Sequence, residues 1–341
     1  MKILGVRISA IVFGLLTCAN LISSSGVARA QWQNTAGAQS TDKGTQALAF
    51  LPNEIWVHAG DSVTWTFATD EPHSVTFLKP GQTRPTAQVG CPGATPNGSN
   101  FDGFSCVNSG RITTKGQTYT VTFSTPGNYR LVCLVHVNMT GIVHVLSPSM
   151  PLPHDQDFYE DQAAKQRHNL LSDVESPRGS GETTKDDDSQ SANAHTHSNE
   201  VVTGAGELVS TAGGIQSASR MRFMQHTITI HAGETVEWFS DDVTGHTITF
   251  GEEPPNVTPA TPPSADVTVD PDGALHATIS SPTDNVHSGF IAPAGHERTG
   301  VAQAPAGVTR FRVTFTRPGI FPYLCAFHDE LGMKGKVIVL P

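Results

Sequence analysis

Near the end of each half of the chain stand residues that together could hold a transition metal. The first set reads Cys133-x2-His136-x2-Met139 and the second Cys325-x2-His328-x4-Met333. Each half also carries an isolated histidine upstream: His73, eight positions after Trp65, and His246, eight after Trp238. Two imidazoles, a thiolate and a thioether are the donor set of a type 1 copper site, with the first three in a trigonal plane and the thioether weakly bound on the axis. Soft sulfur favours Cu(I) and imidazole suits Cu(II), so a rigid pocket offering both suits an ion that changes oxidation state. One ion per half, two per chain, is the expectation. The bland alternatives are buried structural cysteines, an interdomain disulfide and core-filling methionines. Recurrence of the aligned His and Met beside both cysteines argues against them.

The elements that must position these residues are strands. Tyr119, Val121 and Phe123 alternate with threonines, and Phe311, Val313 and Phe315 alternate with Arg312 and Thr314. Period-two alternation marks half-buried strands. Turn signals such as His-Ala-Gly-Asp/Glu and Pro-Gly punctuate them. The 32 Gly and 23 Pro also fit a turn-rich β chain. The chain repeats itself. Phe50 to Phe77 aligns without a gap on Phe223 to Phe250 at an offset of 173 positions. The segments ending at His136 and His328 align at 192, so the second half has 19 extra residues in its middle loop. Asn108-Ser109-Gly110 and His287-Ser288-Gly289 form a shorter echo. The expected architecture is all-β: two Greek-key β-sandwich domains, 31–146 and 206–341, joined by a long flexible linker.

At the metal-site residues both halves resemble cupredoxins. The C-x2-H-x2-M loop of domain 1 is similar to that of amicyanin. The C-x2-H-x4-M loop of domain 2 is similar to those of plastocyanin and pseudoazurin. Gly127-Asn128-Tyr129 and Gly319-Ile320-Phe321 before the cysteines match as well. The resemblance covers roughly 90–100 residues of each half. It implies copper-based electron transfer through the exposed edge of the loop histidine, here His136 and His328. Redox partner proteins would dock there, on an apolar rim of Leu134, Val135, Val137, Ala326 and Phe327. It also makes Ser74 and Thr247, which follow the upstream histidines, candidates for hydrogen bonding near the thiolate.

Residues 1–30 read as a secretory signal peptide: Lys2 and Arg7, an apolar stretch from Ile8 to Ile22, then Ala28-Arg29-Ala30 as a cleavage site. A lipidated Cys18 is the competing reading, with Thr17 a poor residue before it. Export to a periplasm or to the outside is expected. There a disulfide between Cys91 and Cys106, 15 positions apart, is worth about 3 kcal/mol. The net charge of −10 argues against nucleic acid, and no second apolar run is long enough to span a bilayer. Residues 147–205 hold 11 acidic and 4 basic side chains and little apolar content, which reads as an acidic disordered linker, with a transient helix over Gln156 to Leu171. His58 and His231 precede turns and read as structural, His144 as packing or surface, and His195 and His197 as solvated.

Three function classes compete. The first is an exported electron carrier with one copper per domain. The second is a copper storage or delivery protein, a role for which a closed two-His, Cys, Met site is poorly built. The third is a multicopper reductase or oxidase. It would need further ions bound by histidines beside the ligand cysteine and an open coordination position, yet Cys133 is flanked by Val132 and Leu134, and Cys325 by Leu324 and Ala326.

Overall fold

The structure, a computed structural model, describes residues 29–85, 91, 93–173, 199–292 and 308–341. The signal peptide, Cys18, His195, His197 and His296 lie outside the described residues. The first half contains β1 (Gln31–Gln39), β2 (Thr45–Leu51), β3 (Glu54–His58), β4 (Ser62–Phe67), β5 (Thr76–Phe77), β6 (Ser99–Phe101), β7 (Val107–Asn108), β8 (Thr118–Phe123), β9 (Gly127–Val132) and β10 (Thr140–Leu146). Helix α1 (Gln156–Asp173) follows. The second half contains β11 (Glu200–Thr211), β12 (Gly214–Phe223), β13 (Thr227–His231), β14 (Thr235–Asp241), β15 (Thr249–Phe250), β16 (Thr268–Val269), β17 (Leu275–Ile279), β18 (Val286–His287), β19 (Arg310–Phe315), β20 (Gly319–Leu324) and β21 (Lys334–Leu340).

Each half is a two-layer β-sandwich, as its alternating strands require. In the first, β3-β10-β9-β5-β7 packs over β2-β1-β4-β8-β6; in the second, β13-β21-β20-β15-β18 packs over β12-β11-β14-β19-β17-β16. The inward faces form two separate cores, one around Trp65, Phe77 and Phe123, the other around Trp238, Phe250 and Phe315. The repeated His-Ala-Gly-Asp/Glu turn has a structural reason. Its acidic side chain accepts the backbone N–H of the histidine three residues earlier, Asp61 from His58 and Glu234 from His231. Asp61 also accepts the Trp32 indole and the Ala30 N–H, which ties down the start of β1. Cys91 and Cys106 are joined in a disulfide.

Two expectations about the linker need correction. The halves are not beads on a string. β2 pairs antiparallel with β12, Leu48 opposite Ser217, Ala47 opposite Ala218, Gln46 opposite Ser219 and Thr45 opposite Arg220, so one eleven-stranded sheet runs through both. Gln46 and Ser219 are equivalent positions of the repeat and face each other, which places an approximate two-fold axis between them. Nor is 147–205 structureless. Residues 156–173 form α1, capped by Asp155, whose carboxylate accepts the Phe158 N–H at 3.0 Å. The helix seats Ala163 and Leu170 on a shelf of Ala38, Ala47, Ala49, Leu51 and Ala218 and sends Tyr159 into the core of the first sandwich. β11 starts at Glu200, six residues before the expected domain boundary. A mean composition misses this because three or four apolar residues on one helical face suffice when the surface beneath is flat and alanine-lined. β2 is buried at every position, the mark of a strand covered on both faces.

Candidate metal centres

The same local devices build the site in both halves. The upstream histidine is fixed by a two-way backbone bridge, His73 with Ile112 (3.1 and 2.9 Å) and His246 with Ile291 (both 2.8 Å). The cysteine is the first residue after β9 or β20, and the methionine the last before β10 or β21. The loop closes on itself, the Met139 and Met333 carbonyls accepting the Cys133 and Cys325 N–H at 3.0 and 3.1 Å. Both methionine side chains are fully buried. The second loop, longer by two residues, contains a 3-10 turn, Asp329–Leu331, closed by Gly332 at φ 95°.

These frames gather three donors in each half. His73 Nδ1 and His136 Nδ1 are 3.1 Å apart and each lies 3.9 Å from Cys133 Sγ. His246 Nδ1 and His328 Nδ1 are 3.0 Å apart, at 3.8 and 3.6 Å from Cys325 Sγ. All six side chains are buried. A point equidistant from the three atoms of either triangle lies about 2 Å from each, the length of a first-row metal–imidazole bond. The donor sets therefore fit one ion apiece. The thiolates are held by backbone: Ser74 N–H and Thr247 N–H each point at the sulfur at 3.4 Å, and His136 N–H does so in the first half. The Ser74 and Thr247 hydroxyls accept the N–H of Leu134 and Ala326, both at 2.7 Å, locking the loop to the upstream strand. The Asn/His-Ser-Gly echo serves the same strand: Ser109 and Ser288 accept the Val75 and Ile248 N–H at 2.9 and 2.8 Å.

The sequence profile described as copper binding proteins, plastocyanin/azurin family, matches residues 37–146 and 209–340. The chain belongs to this family. Its curated relatives include plastocyanin of Ginkgo biloba, 31% identical over 100 residues, which are 29% of this chain and 88% of that protein. Amicyanin-alpha of Methylorubrum extorquens is 32% identical over 111 residues, 32% of this chain and 75% of that protein. Among solved structures, a purple cupredoxin from Nitrosopumilus maritimus is 19% identical and covers 34% of this chain and 99% of that one, with a TM-score of 0.23. Each of these spans about one of the two sandwiches. The cofactor is copper, and the two His-Cys-His groups fit two type 1 ions.

Around the donors the two halves differ from each other and from the sequence expectation. The ring edges of His136 and His328 are not exposed: the residues are 6% and 4% accessible. A single carboxylate of the first half reaches both rings. Glu71 Oε1 lies 3.1 Å from His136 Nε2, and Oε2 lies 3.7 Å from His328 Nε2. Leu134, expected on the docking rim, is buried too, whereas Val135, Val137, Ala326 and Phe327 keep partial exposure. Behind the upstream histidines, His246 Nε2 meets Asp242 Oδ2 at 2.7 Å, while His73 Nε2 is buried with no hydrogen-bond partner. The aligned position in the first half is Thr69, whose hydroxyl donates to Gln46. Gly37 and Gly204, at φ 73° and 76°, pass directly over those two rings; a Cβ would sit 2.4 and 2.5 Å from His73 Nε2 and His246 Nε2. Arg84 donates to the carbonyls of His136 (2.7 Å) and Val137 (2.8 Å), clamping the first loop.

Sequence reasoning missed Glu71, Asp242, Arg84 and both glycines. Glu71 and Asp242 stand two and four positions before a donor histidine, and that nearness was the available signal; nothing in the sequence marks Arg84. His287, at the start of the second echo, is buried and pairs its Nδ1 with the Thr249 hydroxyl at 2.8 Å, a structural contact. His144 stacks on Trp56 and bonds Glu54 and Asn128, and His58 bonds the Met150 carbonyl.

Burial alone would push the Cys133 thiol up, but hydrogen bonds and charge from His136 and His73 outweigh it and hold it well below its ordinary value. Cys325 is lowered in the same way, with burial opposed by His328 and His246. Conversely, burial pulls His136 down, yet Cys133 and Glu71 raise it to about 9. His246 also rises to about 9, with Asp242 and Cys325 overcoming burial. At neutral pH the metal-free site is thus a thiolate beside an imidazolium, and metal must displace the proton on Nδ1. Copper(II) loading at pH 7.5 is expected to release ~1 proton per site, and apparent affinity to rise ~10-fold per pH unit and level off above about 9. Calorimetry in buffers of different ionisation enthalpy checks this; a proton count near zero at pH 7.5 would contradict it.

Proposed function

We propose that the protein is an exported electron carrier with one mononuclear type 1 copper per domain, bound by His73, Cys133, His136 and Met139 and by His246, Cys325, His328 and Met333. The carrying observation is a pair of complete, buried donor triangles of single-ion size. Bound copper supplies a one-electron Cu(I)/Cu(II) couple at each site. The chain's own residues do the rest. The His73 and His246 bridges and the closed Cys-to-Met loops fix the donors on rigid sheets, so little rearrangement accompanies a change of charge. The donors are buried, which supports a carrier over a multicopper reductase or oxidase. Met139 and Met333, buried at the loop ends, would supply the weak thioether donor.

A redox partner protein meets the pair at the loop flanks, where Val135, Val137, Ala326 and Phe327 remain partly exposed. The signal-like segment 1–30 supports export to a periplasm or beyond, and β1 begins at Gln31, just after the expected cleavage point. Among the described residues no helix is long and apolar enough to cross a membrane.

Copper(II) added to the metal-free chain is expected to give an intense blue thiolate-to-copper band and two ions per chain. Cys133→Ser and Cys325→Ser are each expected to remove about half of the colour. A colourless protein of the same stoichiometry would favour storage, and turnover of oxygen or nitrite would favour the enzyme reading.

A further inference from the structure

We propose that the two copper centres exchange electrons with each other inside one chain, by way of the Glu71 carboxylate, which is hydrogen-bonded to His136 and in contact with His328. This rests on the two-copper reading above. Each imidazole that binds metal through Nδ1 must carry its remaining proton on Nε2, and so becomes a donor at that atom. Here both meet one side chain. Glu71 Oε1 is 3.1 Å from His136 Nε2. Its other oxygen, Oε2, is buried without a hydrogen-bond partner, and the His328 ring faces it at 3.7 Å. The first contact is a hydrogen bond that burial strengthens, and the second, at 3.7 Å, is an electrostatic contact longer than a hydrogen bond.

The bridge belongs to the seam between the domains rather than to either copper site. Glu71 N–H donates to the Thr69 hydroxyl at 3.0 Å, and that hydroxyl donates to Gln46, the residue on the pseudo-two-fold axis. The repeat places Thr244, not an acid, at the position equivalent to Glu71. One carboxylate therefore serves both halves, off the symmetry axis, where two would repel. Electron coupling falls steeply across empty gaps and is carried best by bonded and hydrogen-bonded atoms, so the Glu71 side chain, with one hydrogen bond and one 3.7 Å contact, narrows the gap between the rings. The transfer is balanced within the chain. One electron leaves the reduced copper of one half and reduces the oxidised copper of the other. No bond forms or breaks, and both Nε2 protons stay in place.

The test uses the full chain loaded with two coppers. A pulse of reductant that reduces a small fraction of the sites is followed by the blue absorption of each centre, the two bands being assigned from the Cys133→Ser and Cys325→Ser chains. The expected result is a first-order redistribution independent of protein concentration, slowed by roughly tenfold or more in two-copper Glu71→Ala, which replaces a hydrogen-bonded link by a gap. Glu71→Gln preserves the side-chain shape and gives a second reading should the alanine variant not fold. In the diamagnetic copper(I) chain, the Nε2–H resonances of both His136 and His328 should shift in Glu71→Gln. An unchanged exchange rate in both variants, a rate that scales with protein concentration, or a shift at His136 alone overturns the bridge. An unmodified chain that takes up copper without either blue band overturns the two-centre reading first, before any Glu71 variant is made.

Discussion

Asp242→Asn is expected to raise the reduction potential of the domain 2 copper by about 60–120 mV while leaving domain 1 unchanged, because the loss of a partner behind a metal-binding histidine weakens binding by ~10–100-fold and each tenfold change corresponds to about 59 mV in a one-electron couple. The carboxylate is buried and holds three donors: the His246 ring at 2.7 Å, the Ser219 hydroxyl at 2.6 Å and the Val243 N–H at 2.6 Å. A negative charge on the far side of the ring makes Nδ1 a stronger donor, which favours the more highly charged oxidised ion. Asparagine keeps the shape and an acceptor oxygen but removes the charge. His73 has no such partner, so the unmodified chain already contains the comparison. Potentiometric titration of Asp242→Asn in the Cys133→Ser background measures the domain 2 centre alone. A potential within error of that background would show that the carboxylate positions the ring without tuning the metal. The reciprocal Thr69→Asp, read in the Cys325→Ser background, should shift domain 1 downward.

The difference matters because the two centres are bridged. A carboxylate stands directly behind the upstream histidine of domain 2, and another touches the loop histidine of domain 1. Two ions with unequal second partners hold an electron with unequal preference, and a route between them makes that preference directional. A pair of identical sites would gain nothing from such a route beyond sharing.

The His and Cys side chains that the structure gathers were legible in the sequence because the proposed set confines three of its four members to one short loop. The Cys-x2-His run after an alternating strand carries that information locally, and the repeat supplied the fourth ligand by alignment. Ser74 and Thr247 followed from the resemblance to cupredoxins. The seam was not legible by that logic. Its pairing of β2 with β12 depends on which edge strands meet, and an alanine-rich edge reads alike whether it meets solvent, a helix or another sheet. The signal was present in Gln46-Ala47-Leu48-Ala49-Phe50-Leu51, which lacks the alternation of a one-faced strand. Missing the seam meant missing everything built on it. The buried rings of His136 and His328, the position of Glu71 and the order of α1 all depend on contacts across 100 or more residues of chain, which no local pattern records.

The seam is also where one substitution should do the most damage at a distance. Ala47 is fully buried, pairs with Ala218 across the β2–β12 contact, and lies in the alanine shelf that carries Ala163 and Leu170 of α1. Ala47→Glu places a carboxylate there with no cation among the shelf residues, a penalty of several kcal/mol even before steric strain is counted. Each sandwich has its own aromatic core, so the cheapest escape is to part the seam and lift α1 while both halves stay folded. The unmodified chain is expected to melt in one calorimetric transition, and Ala47→Glu in two, both blue bands surviving at low temperature. Copper sites that remain coloured while exchange between them is lost would place the coupling in the seam. A single transition at the original temperature would mean that the shelf tolerates the charge and that β2–β12 pairing contributes little to holding the halves together. Ala47→Ser, nearly isosteric, separates the effect of charge and size from that of polarity and should cost no more than about 1–3 kcal/mol.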